Sequence, residues 1–240
     1  MIKLENYEVL GWEHAIRGMR NPMNSWEKSD SHSCKLSQCS ECEYFNSDAF
    51  VNEDFKHMCA RPNKDPHCEY PYVVGPNDHE LMMKLSKGGP VHGKYKRMIV
   101  VYLDITAPLY WWKEFDTYKV GTVANSCSTM HKIHAKEFTL DDFRHEHLKS
   151  AYKSALGFVI GNLNIARLNY LETKDKDDWW QMIQLLPTSY NQKRTVMLNY
   201  EVLTNIYESR KNHKLDEWRE FCKWIERLPY SELITGGKEE

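Results

Sequence analysis

The chain has 240 residues, of which 41% are hydrophobic and 28% are charged, with a formal net charge of −2 and a pI near 6.6. This composition excludes an intrinsically disordered chain, because it supplies enough apolar surface for a core. The near-neutral, interspersed charges give no reason to expect a nucleic-acid partner or a membrane surface. No uninterrupted apolar run approaches the ~18 residues of a membrane span, and the N-terminus lacks a secretory signal, so we expect a cytoplasmic protein without membrane contact.

Two helices are predicted in the first third of the chain. Residues 4–20 predict a short strand or turn followed by a helix whose apolar residues share one stripe. A short amphipathic helix is predicted at Asp78–Lys87. We expect Asp78 to cap its start, and Gly88 and Gly89 to close its end.

Between these helices, at about residues 30–75, the composition shifts to Asp, Asn, Ser, Pro and Cys, which is typical of a loop-rich insertion. Cys39 and Cys42 form a Cys-x-x-Cys pair that suits one half of a zinc site. Two interpretations stay open: a structural zinc ion, or free thiols in a flexible loop. The candidate metal ligands are Cys34, Cys39, Cys42, Cys59 and Cys68.

The clearest strand pattern in the chain is Lys96–Ile105, where apolar residues recur at every second position. Pro108 then suits the first turn of an aromatic helix that we expect to run to roughly Tyr118. The next segment, Thr122–Ser128, is small and rich in hydroxyl groups. We interpret it either as a ligand-binding loop or as an ordinary polar turn.

Three helices are predicted in the second half of the chain. Thr139 and Asp142 form a capping box, which predicts a long helix to about Tyr170. Two more helices are predicted at roughly Thr195–Arg210 and Leu215–Arg227. We expect the long helix to pack against the core through one apolar stripe, which comprises Leu148, Ala151, Tyr152, Ala155, Val159 and Leu163.

Together these elements predict a helix-rich α/β or α+β fold, built as a single domain over residues 1–240 with the cysteine-rich insertion. The chain contains no Walker loop and no GxGxxG, GxSxG or HExxH motif. Their absence disfavours nucleotide hydrolases, Rossmann enzymes, serine hydrolases and zincins.

One polar pattern stands out in the predicted helix that ends at Arg210. Two polar residues bracket an apolar stripe on one helix face and lie about 16 Å apart. An arginine on such a face needs an anionic partner, because an unpaired buried charge is costly. That partner is either an internal carboxylate or an anionic or ionisable group of a ligand, which suits a planar guanidinium. The face comprises Asn199, Leu203, Ile206 and Arg210.

Four segments match, in order, the landmarks of one enzyme family. Residues 10–20 (LGWEHAIRGMR) resemble its opening strand-to-helix turn, and Val91-His92 stands at its Gly-His loop. Met98–Pro108 corresponds to the strand that leads to its motif R-H-R-x-x-S-x-N-E-x-S-x-R-Y. Residues 185–210 (LLPTSYNQKRTVMLNYEVLTNIYESR) match its Leu-Pro, Asn and Arg without a gap. The chain thus resembles the flavin-dependent thymidylate synthases over nearly its whole length outside the insertion.

The family motif itself is altered in this chain. Asn125 and Ser128 match its Asn and second Ser. The R-H-R triplet is Thr117-Tyr118-Lys119, Ser126 replaces the Glu, and Met130-His131 replaces the final Arg-Tyr. Two arginines that grip a nucleotide phosphate in the family are therefore absent. Because each charge-assisted bond is worth about 1.5–3 kcal/mol, their loss weakens a phosphate ligand by ~10² or more.

The resemblance implies roles for individual residues. Arg210 matches the arginine that holds and polarises the pyrimidine ring, and it is the candidate catalytic residue. The implied substrate contacts are Glu114, Lys119, Asn125, Ser126, Ser128 and Arg210. The implied flavin contacts are His92, Tyr118, Lys119, Asn199 and His213.

The family resemblance also implies a fold and an activity. The fold is that of thymidylate-synthase-complementing proteins, with a central antiparallel sheet flanked by long helices, assembled as a homotetramer. The activity is methylation or another modification at C5 of a dUMP-like nucleotide, with FAD, NADPH and methylenetetrahydrofolate. The altered motif keeps a second hypothesis open, a non-catalytic or re-specialised nucleotide-binding protein on the same fold. A third is a zinc-stabilised interaction module formed by the insertion.

Overall fold

A computed structural model describes residues 2–33 and 72–236 of the chain. The main sheet has four strands, in the spatial order β1 (Lys3–Leu10), β4 (Val100–Pro108), β6 (Asn191–Asn199) and β5 (Val123–Ser126). A two-stranded sheet pairs β2 (His32–Ser33) with β3 (Tyr72–Val73) in antiparallel orientation. The main sheet is antiparallel, and together with the helices it confirms the predicted mixed α/β class.

Eight α-helices lie within residues 2–33 and 72–236. They are α1 (Trp12–Arg20), α2 (Pro76–Lys87), α3 (Leu109–Phe115), α4 (Ser150–Thr173), α5 (Lys176–Leu185), α6 (Tyr200–Arg210), α7 (Asp216–Ile225) and α8 (Glu232–Thr235). Within the same ranges, no helix is both long enough and apolar enough to cross a membrane.

The chain divides into two compact units. The first unit comprises Met1–Glu5, Asp104–Thr117 and Ala124–Val196, and the second comprises Asn6–Leu103, Tyr118–Val123 and Met197–Glu240. All four strands of the main sheet contribute residues to both units.

The strand predicted at Lys96–Ile105 is confirmed as β4, although it begins only at Val100. The residues on its inward side are almost completely buried, whereas Tyr102 on the other side is 42% exposed. The aromatic helix after Pro108 is also confirmed, as α3, and it ends at Phe115. The buried residues are Ile99, which precedes the strand, and Val101, Leu103 and Ile105 within it.

Helix α2 corrects the role predicted for Asp78. The helix begins at Pro76, whose fixed φ suits a first turn, so Asp78 lies inside the helix and is not its cap. The Asp78 side chain is fully buried, and its Oδ1 accepts a hydrogen bond from Nε of Arg20 at 2.6 Å. Its Oδ2 accepts from the hydroxyl groups of Ser29 at 2.7 Å and Ser31 at 2.6 Å. Asp78 therefore ties α1, α2 and the segment after α1 together within the second unit.

The long helix starts later than the sequence predicts. Thr139 and Asp142 do form a capping box, but the helix that it caps is only a single 3-10 turn, Leu140–Asp142. Phe143 then pairs with Tyr190 in an antiparallel bridge, which requires extended backbone. The helix therefore cannot continue from the capping box, and α4 begins at Ser150.

The buried face of α4 also differs from the predicted stripe. Leu163 is buried and Val159 is half-buried, as predicted, but Leu148, Ala151, Tyr152 and Ala155 are exposed. Helix α4 instead packs against α5 and against Ile133, Phe138 and Phe143, which precede it in the chain. The resulting core of the first unit contains Ile133, Phe138, Phe143, Leu156, Ile160, Leu163, Ala166 and Met182.

The prediction of a helix over residues 195–210 is wrong in its first part, which belongs to strand β6. Val196 and Leu198 are completely buried at alternate positions, a strand period, and β4 and β5 lie on either side of β6. Helix α6 begins only after Asn199, whose Oδ1 accepts a hydrogen bond from the N–H of Val202 at 3.0 Å. Asn199 is thus the cap of the helix rather than a member of its apolar face.

The core of the second unit is aromatic. Trp12 meets Tyr200 and Tyr230 edge-on, with ring centres 5.5 and 5.0 Å apart. The helix predicted at residues 215–227 is confirmed as α7, which contributes the buried Trp218 to this unit. Aromatic pairs in this arrangement contribute about 0.5–1.5 kcal/mol each beyond their area.

Candidate functional site

Arg210 lies half-buried at the end of α6, between two aromatic rings of the second unit. Its Nε donates a hydrogen bond to the hydroxyl oxygen of Tyr118 at 3.0 Å. Its guanidinium carbon lies 4.8 Å from the centre of the Trp218 ring, a cation–π contact. Trp218 is completely buried and meets Tyr118 edge-on. The two rings orient the guanidinium. We call these three residues the Arg210 cluster.

His213 lies next to this cluster, in the turn after α6. The backbone N–H of His213 donates a hydrogen bond to the carbonyl oxygen of Arg210 at 2.9 Å. Its ring Nδ1 accepts one from the backbone N–H of Leu215 at 3.2 Å. Its ring centre lies 6.3 Å from that of Trp218. The structure therefore brings three sequence-predicted residues together: Tyr118, Arg210 and His213. Trp218 is not predicted from the sequence, since a tryptophan on the apolar face of an amphipathic helix indicates only a core residue.

Asn199, a predicted flavin contact, is buried in the second unit and has its amide engaged. Its Oδ1 caps α6, and its Nδ2 lies against Gly121. Gly121 has a φ of 77°, and a Cβ built there would stand 2.8 Å from the Asn199 Nδ2. The close approach of the two residues therefore requires glycine at position 121.

Replacing Gly121 with alanine is expected to cost about 2 kcal/mol of stability. About 1 kcal/mol comes from placing a Cβ at positive φ, and about 1 kcal/mol from displacing the Asn199 cap. Gly89→Ala is a matched control, because Gly89 has a φ of 83° but nothing within 4 Å of its Cβ position. Urea denaturation should show the Gly121 variant less stable than the Gly89 variant. Equal losses would mean that the Asn199 contact contributes nothing.

His92 lines a cavity of 1430 Å³ in the second unit. Its lining is mixed: Leu81 and Leu85 of α2 are apolar, and Lys28, Lys94 and Arg97 are cationic. His92 is the only predicted site residue among those lining it. Its volume is larger than the about 300–1,000 Å³ of cavities that bind drug-sized ligands.

The segment predicted as a ligand loop, Thr122–Ser128, forms the edge strand β5 for most of its length. Asn125 and Ser126 are exposed on this strand, in the first unit. Gln192 fixes its end, because its Nε2 donates to the carbonyl oxygen of Cys127 at 2.7 Å. The segment is therefore held by backbone pairing and by Gln192, while the Asn125 and Ser126 side chains are exposed.

The remaining predicted substrate contacts have different environments. The hydroxyl oxygen of Ser128 accepts from the N–H groups of Met130 at 3.1 Å and His131 at 2.8 Å, which closes a turn. Glu114 is half-buried on α3 of the first unit, and Lys119 is exposed in the second unit. Lys119 is thus an accessible cation, whereas the Ser128 oxygen is already engaged by backbone.

The predicted zinc ligands lie outside the described residues. Cys34, Cys39, Cys42, Cys59 and Cys68 all fall within residues 34–71. In the rest of the chain, over residues 2–33 and 72–236, no group of three or more His, Cys, Asp and Glu side chains is placed to hold a metal ion.

No protein family model matches the chain, and no curated protein matches it in sequence. Solved structures match its fold. Two structures of thymidylate synthase X (ThyX) from Helicobacter pylori align with it at TM-scores of 0.64 and 0.61, both at 14% sequence identity. The first alignment covers 98% of this chain and 98% of the ThyX chain, and the second covers 99% of each.

The chain has the ThyX fold. This agreement confirms the fold that the sequence motifs imply. Both ThyX structures contain FAD and dUMP. A shared fold does not by itself carry an activity, so the function of this chain has to be argued from its own residues.

Proposed function

We propose that this chain is a flavin-dependent, thymidylate-synthase-like enzyme that binds FAD and modifies C5 of a dUMP-like pyrimidine nucleotide. The observation that carries the proposal is the Arg210 cluster, a half-buried guanidinium oriented by Tyr118 and Trp218. A guanidinium in this setting suits the carbonyl oxygens of a pyrimidine ring or a phosphate. Support comes from the shared fold with an enzyme solved with FAD and dUMP.

Each polar residue has a role in the proposal. Arg210 stabilises the negative charge that develops on the pyrimidine while C5 reacts, and its support by two rings means that it need not reorganise. Lys119 keeps one positive charge of the R-H-R triplet, and by the family resemblance it and Ser128 are the proposed phosphate contacts. By the same resemblance, Asn125, Ser126 and Glu114 are the other proposed nucleotide contacts. No protein nucleophile takes part.

We propose that part of the flavin occupies the cavity of the second unit. Its apolar sides suit a planar ring system, and Lys28 and Lys94 supply charge for a diphosphate. His92 lies in its wall, and the other proposed flavin contacts, which do not line this cavity, are Tyr118, Lys119, Asn199 and His213. Asn199 contributes through its Nδ2, because its Oδ1 caps α6. When bound, reduced FAD supplies a hydride after methylenetetrahydrofolate has supplied the one-carbon unit, and NADPH restores the reduced flavin.

A second candidate function is nucleotide binding without this chemistry. The observation in its favour is the altered motif, in which Thr117, Ser126 and Met130 replace two arginines and a glutamate. The Ser128 hydroxyl oxygen also accepts two backbone hydrogen bonds, so only its O–H is left to donate to a phosphate. On this hypothesis the Arg210 cluster binds an anionic ligand but the flavin is lost.

Two measurements on the purified protein distinguish the two functions. We expect flavin absorbance, and release of tritium from C5-labelled dUMP when FAD, NADPH and methylenetetrahydrofolate are present. A colourless protein that stays inactive with added FAD would overturn the proposal that the chain is an enzyme. Thermal unfolding with each ligand adds a second readout, since a ligand at 100 times its Kd stabilises by about 2.7 kcal/mol. Stabilisation by dUMP but not by FAD would favour the second candidate.

Three further proposals rest on the sequence. We propose a cytoplasmic homotetramer, a single domain over residues 1–240, and zinc bound by the cysteines of the insertion. Metal analysis of the wild type and of Cys39→Ser tests the zinc ion, which the substitution is expected to remove. A zinc content unchanged by the substitution would contradict it.

A further inference from the structure

Strand β6 carries two polar residues on its inward side. Side chains at every second position of a strand share one side, so Gln192 and Arg194 lie on the same side as the buried Val196 and Leu198. Gln192 is 7% exposed, and the side chain of Arg194 is 15% exposed. Burying an amide and a guanidinium costs free energy that an apolar pair of similar size would not cost. The reason for two polar residues here lies in the groups that they bind.

The two side chains form a chain of hydrogen bonds within the first unit. Nη1 of Arg194 donates to Oδ1 of Asp116 at 2.7 Å, and Nε of Arg194 donates to Oε1 of Gln192 at 3.0 Å. Nε2 of Gln192 then donates to the backbone carbonyl oxygen of Cys127 at 2.7 Å. We call Asp116, Arg194 and Gln192 the β6 link. It joins the residue after α3 to the residue after β5.

Each hydrogen bond of the β6 link has only one possible direction. Arginine can only donate and a carbonyl oxygen can only accept, so the Gln192 amide must turn its Oε1 to Arg194 and its Nε2 to Cys127. Donation from the guanidinium also polarises the amide, which strengthens its bond to the carbonyl oxygen. The completely buried Trp112 supports both side chains. Its ring centre lies 4.2 Å from the Arg194 guanidinium carbon, and its Nε1 donates to the backbone carbonyl oxygen of Gln192 at 3.0 Å.

The β6 link meets the altered motif at two places. Asp116 directly precedes Thr117, which the family resemblance aligns with the first motif residue. Cys127 directly precedes Ser128, which it aligns with the second motif serine. Strand β5 ends one residue before Cys127. The Gln192 side chain therefore anchors the backbone where the strand ends and the proposed phosphate contact begins.

We propose that Gln192 and Arg194 are positioning residues for the nucleotide. They hold the Cys127 carbonyl group, and with it Ser128, so that the Ser128 O–H is ordered before a phosphate binds. This inference rests on the proposed function, which makes Ser128 a phosphate contact. Gln192 and Arg194 act through the backbone of Cys127 and do not touch the nucleotide. A donor that is ordered in advance loses less conformational freedom on binding, so the β6 link strengthens nucleotide binding.

Gln192→Glu tests the β6 link with the smallest change of shape. The carboxylate keeps Arg194 as its partner, but it has no N–H to donate and its charge repels the Cys127 carbonyl oxygen. We expect equilibrium dialysis to show dUMP binding weakened about tenfold. FAD binding should stay unchanged, because the proposed flavin contacts all lie in the second unit.

Gln181→Glu is the matched control for this substitution. Gln181 is exposed on α5, where its Nε2 donates to the backbone carbonyl oxygen of Asp177 at 3.3 Å. The chemical change is the same, but this glutamine has no hydrogen bond to the motif. The affinities for dUMP and for FAD should therefore both equal those of the wild type.

Hydrogen exchange of single backbone amides, followed by NMR, gives a readout that needs no ligand. The N–H of Cys127 donates to the carbonyl oxygen of Lys193 at 2.9 Å, and the N–H groups of Met130 and His131 donate to the Ser128 hydroxyl oxygen. Without the anchor these three amides should exchange about tenfold faster, while the amides in the middle of α4 keep their wild-type rates.

Asp116→Asn is a second variant that loosens the β6 link from its other end. The Asp116 side chain is 48% exposed, so its replacement by an isosteric amide leaves the core intact. Arg194 loses its anionic partner and orients Gln192 less firmly. We expect the same three amides to exchange about threefold faster, and dUMP binding to weaken by a similar factor.

Three results would overturn the positioning role. They are dUMP binding by Gln192→Glu as tight as by the wild type, wild-type exchange rates at the three amides, and equal weakening of dUMP and FAD binding. The last would mean that the β6 link supports the fold in general. A wild type that binds no dUMP would contradict the proposed function, and the positioning role with it. The exchange rates would then still show whether Gln192 holds the turn, so the two failures are distinguishable.

Discussion

Replacing Arg210 with lysine is expected to weaken dUMP binding about 100-fold, or by ~2.7 kcal/mol. Lysine keeps the positive charge but lacks the planar fork that binds two ligand oxygens side by side. It also loses the hydrogen bond to Tyr118 and the stacking over Trp218 that orient the guanidinium. Equilibrium dialysis with labelled dUMP, in the presence of FAD, measures the change.

Arg17→Lys is the matched control for this substitution. Arg17 is exposed on α1, where its Nη2 lies 3.0 Å from Nδ1 of His14, so dUMP binding should not change. An Arg210→Lys variant that binds dUMP as tightly as the wild type would exclude Arg210 from the site. A wild type that binds no pyrimidine nucleotide would instead contradict the proposed function itself.

Replacing Asp78 with alanine is expected to lower the free energy of unfolding by about 3–5 kcal/mol. The substitution leaves Arg20, which is 4% exposed, as a buried charge without its carboxylate. It also removes the acceptor of the hydrogen bonds from Ser29 and Ser31. Urea denaturation measures the loss. Arg97→Ala is the control, because Arg97 pairs with Glu201 at the surface and such pairs contribute less than about 1 kcal/mol.

The same carboxylate makes stability depend on pH. Burial acts to raise the pKa of Asp78, but hydrogen bonds from Ser31, Ser29 and Arg20 outweigh it and hold the pKa below its ordinary value. A carboxylate whose pKa is lower in the folded state stabilises fully above its unfolded pKa of ~3.9, and this stability is lost as the pH falls through the folded pKa. Asp78→Ala should therefore reduce the loss of stability in acid. An unaltered acid transition, or a loss no larger than that of Arg97→Ala, would contradict the central role of Asp78.

The altered motif acquires a physical meaning in the structure. The family resemblance aligns Tyr118 with the histidine of R-H-R, and the Tyr118 hydroxyl accepts a hydrogen bond from Arg210. The motif position and the arginine at the end of α6 are thus joined directly within the second unit. If the resemblance holds, Thr117 lacks a phosphate-binding charge, while Tyr118 orients the arginine that the proposed chemistry needs.

Much of the local structure could be predicted from the sequence, because its signals are periodic. Strand β4 and helix α7 follow from their apolar patterns, and the family resemblance predicts the ThyX fold. The sequence also singles out Arg210, since a charged residue on an apolar helix face is unusual. These features depend on residues close to one another in the chain, so they can be recognised without knowing what packs against them.

Contacts between distant parts of the chain were decided only by the tertiary structure. Asp78 has the spacing of a helix cap, but its partner Arg20 lies 58 residues away and turns it into a buried ionic link. Residues 191–199 form a strand because β4 and β5 satisfy their backbone, and the capping box at Thr139 fails to start a helix because Phe143 pairs with Tyr190. Local patterns favour one element over another by small free energies, and long-range hydrogen bonding and burial outweigh them.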